Sequence, residues 1–206
     1  MTRATILGLT AALTLVTTIA GAQGGTTGTM SNTRGLSLGA GFNGASVATT
    51  ESGTTTTESG AGFQVEGMYG VNNRFALGLD YARANIDAVD GLGQYTLSHI
   101  GGIGRLFFRD ESKRARPYLE GAILRREIAV DVTDGFDAAT VKANSIGGGL
   151  GGGVQIFATP TFAFDVSGQY GFGSFSDWTV NGQNVPAEDI SATSFTLRLG
   201  VRFYLR

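Results

Sequence analysis

Read in steps of two, the final stretch SFTLRLGVRFYLR separates Phe195, Leu197, Leu199, Val201, Phe203 and Leu205 from Thr196, Arg198, Gly200, Arg202, Tyr204 and Arg206. A period of two is that of a β-strand, whose successive side chains point to opposite faces. The alternation returns in eight runs, near 34–46, 61–71, 75–84, 95–108, 117–130, 141–157, 161–173 and 193–206. Each run is close to or above the ~9–11 residues that a tilted strand needs to cross a bilayer.

Five runs assign their faces cleanly. The first sets Leu36, Leu38, Ala40 and Phe42 against Ser37, Gly39, Gly41 and Asn43; the second sets Phe63, Val65, Tyr69 and Val71 against Gln64, Glu66 and Met68. In the third, Phe75, Leu77, Leu79 and Tyr81 oppose Ala76, Gly78, Asp80 and Ala82. In the seventh, Phe162, Phe164, Val166, Tyr170 and Phe172 oppose Ala163, Asp165, Ser167 and Gln169. The C-terminal run is the fifth such case. The fourth and fifth strands, YTLSHIGGIGRLFF and PYLEGAILRREIAV, are apolar in both phases, so their faces stay open; a β-bulge, which shifts phase by one residue, accounts for either.

The connections alternate in length. Three are compact, at 72–74, 109–116 and 158–160, and four are long and polar, at 48–60, about 85–94, about 131–140 and about 174–192. Tight turns on one side and longer loops on the other are the habit of up-and-down membrane barrels, and an even strand count brings both termini to the side of the tight turns.

A soluble barrel with a ligand-binding interior shows the same alternation turned inside out. The polar face decides between them. A water-facing wall is normally rich in Lys and Glu, whereas this one is Gly, Ala, Ser, Gln and a few charges of both signs, which suits a crowded lumen. Aromatic residues at strand ends, namely Phe75, Tyr81, Phe107, Phe108, Tyr118, Phe162, Tyr170, Phe172, Phe203 and Tyr204, are read as an interfacial girdle. The expected fold is an all-β, eight-stranded, antiparallel, up-and-down transmembrane barrel over 34–206.

Composition narrows the rest. With 33 glycines, 3 prolines and 16% charged residues, the chain favours short alternating strands over helices. The net charge of −2 and only two lysines, Lys113 and Lys142, supply no basic surface for nucleic acid. Residues 1–22 read as a signal peptide: Arg3, an apolar stretch from Ile6 to Ile19, then Ala20-Gly21-Ala22 as the small-x-small cleavage site. Residues 23–33 form a short polar lead. The chain has no cysteine, which rules out disulfides and thiolate chemistry.

On these patterns the chain resembles the small eight-stranded outer-membrane barrels of the OmpA transmembrane-domain and OmpX type, over about 34–206. The sharpest match is terminal. The family's assembly signal, polar-x-Gly-x-x-aromatic-x-apolar, maps onto Arg198, Gly200, Phe203 and Leu205, although Arg206 stands where an aromatic residue is common. The resemblance implies a place in the outer membrane of a diderm, Gram-negative-type cell. It also implies contact with outer-membrane lipids and lipopolysaccharide and delivery by the barrel-assembly machinery. No peptidoglycan-binding domain follows the barrel run, so wall anchoring through one is not expected.

Candidate chemistry is sparse. His99 is the only histidine, and its neighbour Ser98 points to the opposite face, so the two cannot act as nucleophile and base; the His-x-Ser arrangement of lipid A deacylases is missing. The run GGGLGGG at 147–153 lacks the Gly-Lys-Ser/Thr of a phosphate loop. As a strand it turns Gly147, Gly149, Gly151 and Gly153 inward, leaving volume for long side chains such as Gln64, Glu66 and Met68 from the second strand. Asp131, Asp134 and Asp137 have no EF-hand spacing and read as a solvated loop. Arg125 and Arg126 can each meet either lipopolysaccharide phosphates or a lumen or rim partner. The direct repeat TTESG, at 49–53 and 56–60, is Thr-rich enough to extend the first two strands beyond the membrane as a hairpin with exposed edges.

No catalytic, cofactor or metal residues are therefore assigned. Glu66, Asp80, Asp165, Arg198 and Arg202 are expected to form a charge network inside the barrel, because eight strands enclose only enough room for side chains. The expected role is a non-enzymatic structural or surface-interaction protein, adhesion-like, with a surface ligand met by the long loops. The alternatives are a lipid A-modifying enzyme and a narrow solute channel.

Overall fold

The computed structural model describes residues 31–51, 54–88, 93–108, 111–134, 137–186 and 190–205. The expected signal peptide and most of the polar lead lie outside these residues. Nine strands follow in chain order: β1 (Gly35–Glu51), β2 (Thr54–Gly70), β3 (Phe75–Asp87), β4 (Gln94–Phe107), β5 (Ala115–Asp134), β6 (Asp137–Thr159), β7 (Phe162–Val180), β8 (Gln183–Val185) and β9 (Ile190–Tyr204). Each wall strand pairs antiparallel with the next, β7 with β9, and β9 returns to β1, so the sheet is a closed barrel. The short β8 pairs only with Trp178–Val180 of β7 and stays outside the wall. The wall thus has eight strands, and closure leaves no edge within it for lipid to meet.

Alternation holds through the membrane belt. Leu38, Phe42, Leu79, Ile123, Leu150 and Leu199 are exposed on the outer face, while Ser37, Asn43, Gln64, Glu66, Asp80, Gln169 and Arg198 are buried on the inner one. In a water-soluble protein such exposure would be a liability; here it is the surface that meets hydrocarbon.

Three expectations need correction. First, the long connections are mostly strand, not only in the β1–β2 hairpin that the Thr-rich repeat led one to expect. β1 and β2 stay paired out to Thr50↔Thr55 and Glu51↔Thr54, and β5 and β6 to Asp134↔Asp137. Threonine and valine favour the pleated conformation, and continuing the ladder satisfies backbone groups that a loop would leave to water. Second, the bulges are not in β4 or β5, which pair with each other in unbroken register from Thr96↔Ala129 to Phe107↔Tyr118. The register shifts fall between β6 and β7, where Ser176 and Ala158 are unpaired. Ser176 lets both Phe175 and Trp178 turn into the lumen against Ala143. Third, Phe107, Tyr118 and Tyr204 are not girdle residues. They are buried, at 2%, 2% and 6% exposure, and plug the barrel from within.

The second and third corrections share one cause. Apolar clusters line the lumen above and below its central charged layer, so strands running through them are apolar on both faces there.

Candidate functional site

The lumen is filled in layers. At the end of the tight turns, Arg116 is wholly buried over the Phe107 ring at 4.9 Å; its Nη1 donates to Thr33 Oγ1 at 3.0 Å and its Nη2 to the Asn73 carbonyl. Ser31 and Thr33, from the polar lead, are themselves buried against the β4–β5 and β2–β3 turns. Above them Phe157 stacks on Tyr204 at 5.4 Å, and Met68, Ala76, Ile103, Phe107 and Tyr118 pack together.

The charged layer follows, with Arg105 at its centre. Nε of Arg105 donates to Glu120 at 2.7 Å, Nη2 to Glu66 at 2.9 Å and Nη1 to Asp165 at 3.1 Å. Arg198 donates to Glu120 and to Ser167 at 3.0 Å, and Arg202 to Glu66 and to Ser37 at 3.2 Å. Gln169 completes Glu120 at 2.9 Å, while Tyr118 and Gln155 complete Asp165 at 2.7 and 2.9 Å. Three guanidiniums face three carboxylates, so the cluster is internally neutral, and hydrogen bonds offset much of the desolvation that burial imposes.

Of the five charges expected together, Glu66, Asp165, Arg198 and Arg202 bond within this cluster, whereas Asp80, opposite Glu66 on the ladder, makes its close contact with His99 Nε2 at 2.7 Å. Arg105 and Glu120 are the additions. They face each other across β4 and β5, the two strands whose faces the alternation leaves open. The inward glycines of β6 serve different side chains from those expected of them. A Cβ at Gly149 or Gly151 would meet Gln169, and one at Gly153 would meet Ser167 and the Tyr118 hydroxyl. The space is taken by neighbours on β5 and β7, because in a barrel this narrow a long side chain lies along the adjoining strands.

Arg126 and Arg125 part company. Arg126 turns inward, over Phe175 at 5.3 Å, and donates to Ser194 Oγ and the Ala192 carbonyl, both at 3.4 Å. Its place in the lumen removes it from contact with lipid phosphates. Arg125 is exposed on the outer wall. Higher still, Ala45, Val47, Ala84, Ile86 and Leu97 form an apolar seal with Tyr95 and Ile128. His99 lies buried below that seal and Ser98 faces the other way, so no route brings a lipid ester to the pair. Asp131 accepts from the Thr140 hydroxyl at 2.8 Å; the side chains of Asp134 and Asp137 lie outside the described residues. In the terminal motif, Phe203 faces outward beside Phe162 at 4.9 Å, Leu205 is exposed, and Arg198 and Gly200 line the interior.

Beyond the seal the rim is uneven. β3 and β4 stop at Asp87 and Gln94, where Gln94 Nε2 donates to Asp87 at 2.7 Å. Their neighbours continue. Among the described residues the backbone of Thr54–Thr57 of β2 pairs only with β1, and that of Val130–Asp134 of β5 only with β6. Two free strand edges thus face each other across a notch. β2 and β5 are three strand spacings apart, about 14 Å.

A protein-family model described as the outer membrane protein beta-barrel domain matches residues 9–203. The chain belongs to this family. It is therefore an outer-membrane β-barrel protein of the Gram-negative envelope. Comparison with characterised protein sequences gives no match. Among solved structures it is similar to Neisserial surface protein A, with 21% identity, a TM-score of 0.61 and coverage of 82% of this chain and 97% of that one. It is also similar to OprG of Pseudomonas aeruginosa, with 12% identity, a TM-score of 0.53 and coverage of 84% and 97%. A third is Ail of Yersinia pestis, solved with the heparin analogue sucrose octasulfate, with 17% identity, a TM-score of 0.51 and coverage of 82% and 99%. At these identities the likeness is one of fold.

Proposed function

We propose that this barrel is a non-enzymatic surface-interaction protein whose binding element is the notch between the β2 and β5 edges. The observation that carries the reading is the pair of backbone ladders left unpaired among the described residues, Thr54–Thr57 and Val130–Asp134, held above the membrane belt. An exposed ladder recruits a strand by main-chain hydrogen bonds, and a gap three strand spacings wide is filled by two strands. A β-hairpin of a partner fits it. The filled lumen supports a structural wall in preference to a solute channel, and the burial of His99 beside Asp80 supports a wall in preference to a lipid-modifying enzyme. Within the envelope its partners are outer-membrane lipids, lipopolysaccharide and the barrel-assembly machinery; outside it, a surface ligand.

The test is to shorten the β1–β2 hairpin by joining Val47 to Glu58 through a two-residue turn, to shorten β5–β6 likewise, and to score binding to cells, matrix and lipopolysaccharide. Heat-modifiable gel mobility serves as the check on folding. Binding should fall with either hairpin removed. A folded barrel that binds undiminished without both would overturn the reading.

A further inference from the structure

The lipid-facing wall carries two cations where the belt ends. On β3 the outward series Phe75, Leu77, Leu79, Tyr81 is followed by Arg83, and on β5 the series Leu119, Gly121, Ile123 is followed by Arg125. Both arginines are exposed. An arginine on the lipid face is costly at the bilayer midplane and nearly free at the interface, so two at this height mark the boundary with the headgroups. They flank β4: Arg83 stands beside Ser98, and Arg125 beside Ile100. Strand spacing and rise separate their Cα atoms by about 12 Å, within the reach of two long side chains converging on one group.

Neither has an anionic partner among the described residues. Arg83 has one weak contact, to Thr96 Oγ1 at 3.5 Å. The nearest carboxylate on that face by register, Glu127, is engaged by Lys142 at 3.3 Å.

Directly below, the wall is hollowed. Gly102 and Gly104 of β4 and Gly121 of β5 floor an apolar groove of about 430 Å³, walled by Leu77 and Ile123. A Cβ at Gly102 or Gly121 would meet nothing within 4 Å, so these glycines answer no packing need inside the barrel. The groove begins one same-face position below Arg125 and two below the level of Arg83, past Ile100, so cations and groove together match a lipid with an anionic headgroup whose acyl chain passes over Ile100.

We infer that this wall holds one outer-leaflet phosphorylated lipid: Arg83 and Arg125 bind its phosphate, and an acyl chain lies over Gly102, Gly104 and Gly121. Ser98, small, lies beside Arg83 and diagonal to Arg125 and offers the phosphate a hydroxyl; Glu127, its partner on β5, is held by Lys142. The guanidinium fork matches phosphate geometry and supplies charge-assisted bonds. The site is on the outer wall, independent of the notch at the rim.

The experiment uses the folded full-length barrel in phosphatidylcholine nanodiscs doped with lipid A or with a phosphate-free glycolipid of the same chains, and counts lipids retained on release by native mass spectrometry. The wild type should retain one lipid A in preference to the phosphate-free lipid. R83Q/R125Q should lower that retention about tenfold or more, since two charge-assisted contacts are lost. Gly121→Leu should lower it with both cations intact, because the side chain fills the groove. R83K/R125K keeps the charge without the fork and should fall between wild type and R83Q/R125Q, so the inference stays testable if R83Q/R125Q fails to fold. Equal retention of the two lipids, retention indifferent to the arginines or to Gly121→Leu, or complete displacement of lipid A by inorganic phosphate would overturn it.

Discussion

Arg105 and Glu120 stand directly opposite each other on β4 and β5, with Nε and Oε2 2.7 Å apart and both side chains shut off from solvent. From this pair the charged layer extends to Glu66 and Asp165 through Arg105, and to Arg198 through Glu120. Removing Arg105 therefore takes a partner from three carboxylates at once, whereas removing Arg202 takes a close contact from Glu66 and only a 3.9 Å one from Asp165. Losing one member of a buried pair typically costs ~3–5 kcal/mol. Arg105→Ala should fall at or above the top of that range in urea unfolding followed by gel mobility, and Arg202→Ala near the bottom. Neutralising Glu120 in the Arg105→Ala background should recover part of the loss. Equal effects of the two arginine changes would contradict the central position given to Arg105.

The same layer fills the lumen between two apolar clusters. In planar bilayers the purified barrel should give no sustained unit conductance. A stable open level at moderate voltage would mean that the layer parts readily and would bring the solute-channel reading forward.

Gly153 and Gly121 should respond oppositely to an added methyl group. At Gly153 a Cβ would lie 2.4 Å from the Val166 carbonyl oxygen and 2.8 Å from the Tyr118 hydroxyl, while at Gly121 it meets nothing within 4 Å. Gly153→Ala should destabilise by about 1–3 kcal/mol through overpacking. Gly121→Ala should stay within about 0.5 kcal/mol. Denaturant titrations of the two variants side by side make the comparison.

Phe203 and Phe195 face the lipid from the same strand, but only Phe203 falls in the terminal motif with Arg198, Gly200 and Leu205. Phe203→Ala should lower the yield of folded, membrane-inserted protein more than Phe195→Ala, read as the heat-modifiable fraction in the outer membrane. Equal losses would reduce the motif to ordinary lipid-facing pattern.

Cleavage after Ala22 predicts that the mature chain begins at Gln23 and fractionates with the outer membrane. N-terminal sequencing of that fraction checks both, and recovery of the protein chiefly from the cytoplasm would sink the expectation.

The wall was legible because a membrane barrel writes its solvent into alternate positions: β1, β2, β3, β7 and β9 sort inward and outward residues with no help from tertiary context. β4 and β5 resist the same reading because Leu97, Ile103, Phe107, Tyr118 and Leu124 point into the lumen, so both phases look alike. Arg105 and Glu120 were hidden there, although each alone is a charge within an apolar run. The pairing of Asp80 with His99 depends on register between β3 and β4, where Asp80 and His99 sit on adjacent positions of the ladder rather than opposite each other. Composition cannot supply that. Nor could it reveal the rim notch, which arises from unequal hairpin heights, or the outer-wall groove, whose glycines look no different from those lining the lumen.

The first and last wall strands, β1 and β9, zip together from Ser37↔Tyr204 to Thr50↔Ser191. Nothing local helps that seam to form, since its partners are separated by almost the whole folded chain and loop closure must precede any reward. Until β9 arrives, the growing sheet carries two open margins of unpaired amides and carbonyls, which hydrocarbon will not solvate. Insertion is therefore an all-or-none event timed by the last strand synthesised: a chain stopped within β9 has not made a weaker barrel but an open sheet, fit for degradation and for little else.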